Sequence, residues 1–174
     1  QLLKPKNRIT MALSTGTQAP DFELTTLGAE GPEVVKLSEQ LGSGNILLLF
    51  VPMAFTGVCT EEFCSVTSEL SDYENMNAKV FGISGDNPFA QQNWADKEGI
   101  GITLLSDYEH EVAKAYDVAY DAFLPSKNLH MGGVPKRSAF IVDKDGVIQY
   151  SESSDNPGEL PNFEAIKAKL GELS

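Results

Sequence analysis

The sequence is short of the residues on which most cofactor and scaffold chemistries depend. It has two cysteines in 174 residues. Two cannot build a disulfide framework, and a chain of this length can bury a core without one. It has two histidines, His110 and His130, with nineteen residues between them. Neither stands near the cysteine pair, whose C-x4-C spacing differs from the compact ligand spacings of structural zinc sites. C-x-x-C, G-x-G-x-x-G and P-loop patterns are absent, so no metal and no cofactor is expected. Long apolar runs are missing too. The longest, Ile46–Phe55, is broken by Pro52 and falls well short of the ~20 residues of a membrane-spanning helix. It reads as a buried strand running into a turn.

Positive charge is also scarce. The net charge is −12, and three of the few cations, Lys4, Lys6 and Arg8, sit in the first ten residues, which carry no acid. Without those three charges the rest stands at −15. Such a surface repels phosphate backbones and anionic lipid, so neither nucleic acid nor membrane is an expected partner. The opening QLLKPKNRIT has no apolar core and no small-residue cleavage site. Residues 1–10 are therefore expected to be a leader or remnant outside the fold, and 11–174 a single domain. Few cysteines and no secretory signal suggest a reducing, cytoplasmic setting.

What is present has a regular order. An opening strand is expected over Gln18–Leu24, a short one at Val34–Leu37, and a small helix or turn at Ser38–Leu41. Asn45–Val51 should be a central strand, bounded by Gly44 and Pro52. Helical spacing of Val58, Phe63, Val66, Leu70 and Tyr73 predicts a helix over 57–74. Strand 78–84, helix 88–97, strand 103–106 and helix 110–117 follow. Residues 138–150 form a hairpin around Asp145-Gly146, and an amphipathic helix closes the chain over 160–173. A βαβ unit joined to a ββα unit implies an α/β fold, a thioredoxin-like mixed sheet with helices on both faces.

Both cysteines fall in one short stretch, VPMAFTGVCTEEFCSV, residues 51–66. Cys59 sits at the start of the expected helix, where unpaired amides and the helix dipole favour an anion and hence a thiolate nucleophile; a buried inert cysteine is the alternative. Thr56 can hydrogen-bond that sulfur or a bound oxygen, and Pro52 can stiffen the loop and exclude water. Glu61 and Glu62 oppose a thiolate unless a cation offsets them. Arg137, the one arginine beyond the leader, has the permanent charge and forked donors to do so. It could equally be a surface charge on a strand. Cys64 is five residues beyond Cys59. On a helix that is roughly 7.5 Å of rise, beyond the ~4.4–6.8 Å that a disulfide tolerates between Cα atoms. A Cys59–Cys64 bond therefore requires the first turn to unwind. Cys64 as plain helix packing is the alternative.

Pro52-Met-Ala-Phe-Thr56-Gly-Val-Cys59 resembles the P-x-x-x-T-x-x-C signature of peroxiredoxins, and the resemblance runs over about residues 14–172. It includes Gly16-Thr-Gln-Ala-Pro-Asp-Phe-Glu-Leu24 and the segment Lys136–Val147. Ala54–Thr60 is most similar to the alkyl-hydroperoxide-reductase E class. The C-x4-C spacing is similar to the bacterioferritin-comigratory (Q) class. The resemblance implies a thiol-dependent peroxidase with Cys59 as the peroxidatic cysteine and Cys64 as its resolving partner. Thr56 would bind the peroxide oxygen, Pro52 shield the site, Arg137 stabilise the thiolate and departing oxygen, and Glu62 orient Arg137. Trp94 falls where relatives carry a tryptophan near the pocket, or is a core aromatic. The Arg-Asp pair that relatives often carry after the second cysteine is missing from Cys64–Asp72. The implied partners are a peroxide, a thioredoxin-like dithiol and a second copy of the chain in a homodimer. A one-cysteine peroxidase, a redox-sensing or holdase protein and a thioredoxin-fold binding module without activity are the rival readings; the set Pro52, Thr56, Cys59 and Arg137 speaks against the last.

Overall fold

The computed structural model describes residues 12–174. The expected leader, residues 1–10, lies outside them. The centre of the fold is β3 (Asn45–Phe50), whose six residues NILLLF are all buried. Their alternation splits the core in two, as a two-residue repeat must. Leu47, Leu49 and the following Val51 join one apolar cluster. Ile46, Leu48 and Phe50 join the other.

Six further strands complete the sheet: β1 (Glu23–Gly28), β2 (Gly31–Lys36), β4 (Ala78–Ser84), β5 (Thr103–Ser106), β6 (Arg137–Val142) and β7 (Ile148–Ser154). Their order is β2-β1-β5-β4-β3-β6-β7. β3, β4 and β5 pair in parallel, and the remaining pairs are antiparallel. Helices α2 (Gly57–Ser68), α3 (Leu70–Asn75), α4 (Pro88–Glu98) and α6 (Phe163–Leu173) cover one face with Phe63, Tyr73, Trp94 and Leu170. α1 (Leu37–Gln40) and α5 (Glu111–Ala115) cover the other with Leu37, Val112 and Ala113. This is the mixed sheet with helices on both faces that the order of elements implies.

Three local expectations are corrected. The opening strand begins at Glu23, not Gln18, which makes only an isolated bridge to Val147. Asp21 bends the chain there, its carboxylate accepting the amides of Phe22 and Ser38. The helix expected over 57–74 is two helices, broken at Glu69. Thr67 and Ser68 donate their hydroxyls back to the Phe63 and Ser65 carbonyls, a habit that bends helices. Its buried side carries Cys59, Glu62, Phe63 and Val66, while Val58 is only half-buried. The closing helix starts at Phe163, where Asn162 accepts the Ala165 amide as its cap.

Candidate active site

β3 leaves the sheet at Val51, and the loop Pro52–Thr56 carries the chain into α2. The Ala54 amide donates to Asp86 Oδ2 at 2.8 Å, and that same oxygen accepts Ser84 Oγ at 2.7 Å. Phe55 takes a left-handed φ of 62°, a conformation that costs about 1–3 kcal/mol and gathers at functional loops. The turn delivers Cys59 to the third position of α2, where it is 1% exposed. The amides of a first helical turn have no partner within the helix.

β6 runs antiparallel to β3 with Ser138 opposite Phe50. Arg137, one residue earlier, therefore stands beside the point where β3 becomes the loop. That register brings together two residues 78 positions apart. Arg137 is 2% exposed. Its Nη2 donates to Cys59 Sγ at 3.3 Å and to the Pro157 carbonyl at 2.8 Å. Its Nε donates to the same carbonyl at 3.1 Å. Its Nη1 faces Glu62 Oε1 at 3.5 Å.

Glu62 is fully buried. Its second oxygen, Oε2, has no hydrogen-bond partner among the described residues. Burial pushes its carboxyl up to about 8, against the opposing pull of the Arg137 guanidinium and with a small push from Glu152. The 3.5 Å approach is longer than the ~2.7–2.9 Å of a strong charge-assisted bond, so the cation does not offset the loss of water.

Thr56 Oγ1 donates its one proton to the Met53 carbonyl at 2.9 Å. Its lone pairs remain to accept a hydrogen bond. Pro52, at the start of the same loop, is buried. Cys64 sits lower on the same helix, and both thiols are free. Its Sγ donates to the Glu98 carbonyl at 3.4 Å, at the end of α4. Burial, with the Glu98 carboxylate second, pushes the Cys64 thiol up. Trp94 is a core aromatic that also touches the site. It packs against Phe63, and its indole N–H donates to Thr60 Oγ1, which in turn bonds the Thr56 carbonyl.

The structure thus gathers Cys59, Arg137, Glu62, Thr56 and Pro52 around one loop and leaves Cys64 five residues further along α2. Sequence reasoning did not reach Asp86, which pins Ala54, nor Pro157, whose carbonyl takes two Arg137 bonds. Tyr120 and Lys136 hold that turn through Asp155. A chain carbonyl leaves no mark on residue identity. Asp86 had a signal: an acid just past a parallel strand, where sites gather in α/β sheets.

Residues 15–151 match the AhpC/TSA family. The chain is 33% identical over 150 residues to alkyl hydroperoxide reductase E of Mycobacterium tuberculosis, covering 85% of this chain and 90% of that protein. It is 33% identical over 143 residues to a chloroplastic 2-Cys peroxiredoxin of Spinacia oleracea, covering 78% of this chain and 51% of that longer protein. The crystal structure of the peroxidoxin BcpB from Mycobacterium tuberculosis superposes with a TM-score of 0.78 at 28% identity, covering 94% of this chain and 99% of that one.

Proposed function

The chain belongs to the AhpC/TSA family of peroxiredoxins and is a thiol-dependent peroxidase; from that premise we propose that Cys59 is the sulfur that attacks the peroxide. The observation that carries this reading is the Arg137 Nη2 donor 3.3 Å from Cys59 Sγ. The thiolate attacks the outer peroxide oxygen, the O–O bond breaks, and Cys59 becomes a sulfenic acid. Arg137 meets both the thiolate and the charge that develops on the departing oxygen. Thr56, its proton spent on Met53, accepts a hydrogen bond from the peroxide O–H and orients it. Pro52 closes the loop over the sulfur. Donors of this kind each contribute about 2–4 kcal/mol to a transition state.

Cys64 is proposed to resolve the sulfenic acid as a disulfide within the chain, which a thioredoxin-like dithiol then reduces. The intact α2 holds the two sulfurs apart, so its first turn must unwind. A second reading has an observation in its favour. Cys64 bonds the α4 carbonyl of Glu98 and packs at the core edge, as a purely structural residue would. In that reading an outside thiol reduces Cys59 directly. A cytoplasmic location and a homodimer complete the proposal. Phe55 in the site loop and Phe89 at the start of α4 are exposed, and they are the surface such a dimer would cover. Among the described residues no helix is long and apolar enough to cross a membrane.

Stopped-flow consumption of hydrogen peroxide with a dithiol reductant tests the assignment. Cys59→Ser should abolish turnover. Arg137→Lys keeps a charge but loses the fork, and should slow sulfur oxidation by about 10²-fold. Full activity in Cys59→Ser would remove Cys59 from the reaction.

A further inference from the structure

The buried cluster has an imbalance of charge that the peroxidase reaction itself would resolve. One cation, Arg137, faces two acids, Cys59 at 3.3 Å and Glu62 at 3.5 Å. All three are buried, at 2%, 1% and 0% exposure. A buried site holding one guanidinium stabilises one anion well and a second poorly, because the uncompensated charge has lost its water. Arg137 gives its shorter bonds to the Pro157 carbonyl and shares Nη2 with the sulfur. Glu62 receives only the long contact, and its Oε2 has no partner among the described residues.

The surrounding groups do not change this balance. Tyr73 on α3 and Tyr120, which faces Arg137 and Cys59, are held neutral by burial. Glu152 on β7 adds negative charge and is anchored elsewhere, on Tyr150 and the Asn162 amide. Of the two acids, Glu62 is the one that the site holds neutral, by burial, by the long contact to Arg137 and by an Oε2 without a partner among the described residues. Once Cys59 is oxidised, Arg137 has lost its anion and Glu62 is the group that can replace it.

We propose that Glu62 is the proton store of the peroxide step: it holds a proton while Cys59 is a thiolate and releases it as the sulfur loses its charge. The inference rests on Cys59 being the attacking sulfur. The step balances. Cys59 thiolate, a hydroperoxide and the Glu62 carboxylic acid give Cys59 sulfenic acid, an alcohol or water, and the Glu62 carboxylate. The S–O bond forms as the O–O bond breaks; sulfur is oxidised and the peroxide reduced. The proton released from Glu62 matches the one taken up by the leaving oxygen. Arg137 faces one anion before and after, so the buried site never carries a second unpaired charge. This role differs from steering the arginine, which a glutamine would perform as well.

Infrared difference spectroscopy on the full chain reads the carboxylic acid directly. Protein grown with isotopically labelled glutamate is reduced, then treated with one equivalent of hydrogen peroxide, with Cys59 oxidation followed by mass in the same sample. The reduced protein should show a glutamic acid C=O band that shifts in heavy water, disappears on oxidation and is absent from Glu62→Gln. That variant should also slow sulfur oxidation by about tenfold or more. If Cys59 is oxidised and the reduced protein lacks the band, or keeps it afterwards, the proton store is overturned and the peroxidase reading stands. If Cys59 is not oxidised, both fall. The labelled wild-type spectra decide the matter even if Glu62→Gln fails to fold.

Discussion

Arg137 is the residue on which the site depends, because its donors serve three acceptors at once: a sulfur, a chain carbonyl and a carboxyl group. The bonds to Pro157 fix the guanidinium whether or not the sulfur is charged. Glu62 then sets a pH dependence. Its folded carboxyl titrates near 8, above the ordinary value of 4.5. Between those values the folded state binds more protons than the unfolded state, so stability falls as pH rises. The Glu62 contribution is fully present below 4.5 and lost as pH passes 8. Denaturant unfolding of the reduced protein across this range should therefore show a downward slope that is flatter in Glu62→Gln. An unchanged slope in that variant would mean that Glu62 titrates normally. The sequence named Pro52, Thr56 and Cys59 through one short signature, Glu62 three residues beyond it, and Arg137 as the one arginine outside the leader. It did not place the Pro157 carbonyl, since any residue could supply it.

At the scale of elements, α2 must be stable enough to present Cys59 and weak enough to open. Its cap residue, Thr56, makes no side-chain cap bond. Its first turn is held instead by the chain from the Thr56 carbonyl through Thr60 Oγ1 to the Trp94 indole. Thr60→Val removes both bonds and strands a buried indole N–H, which should cost about 1–3 kcal/mol. It should also favour the opened helix and so speed disulfide formation after oxidation. The fluorescence of Trp94, the one tryptophan, checks both: a change on oxidation in the wild type that arrives sooner in Thr60→Val. An equal rate in the two proteins would detach Trp94 from the opening step. The helix itself was legible from apolar spacing. Its break at Glu69 was not, because hydroxyl-to-carbonyl bonds within a turn depend on rotamers.

Over the whole molecule, the readable parts were those where composition and burial coincide. β4 and β5 lie at their expected bounds, and β3 ends one residue early, since apolar runs between Gly, Pro and polar residues define buried strands. The strand order was less accessible. β1 pairs with β2 through all six residues but reaches β5 through a single register pair, Thr25 with Ser106. Contacts of that kind depend on long-range geometry. The proposed homodimer is a whole-molecule claim. Sedimentation should show a dimer that Phe89→Asp dissociates, since Phe89 is 67% exposed and a charge there opposes apolar contact. A monomer in the wild type would contradict it.

The most direct measurement is the intact mass of reduced protein after one equivalent of hydrogen peroxide, beside Cys64→Ser. The wild type should lose about 2 Da and the variant gain about 16 Da. A gain of about 16 Da in both would leave Cys59 reactive and make Cys64 structural. No change in either within seconds would contradict the assignment of Cys59 as the attacking sulfur.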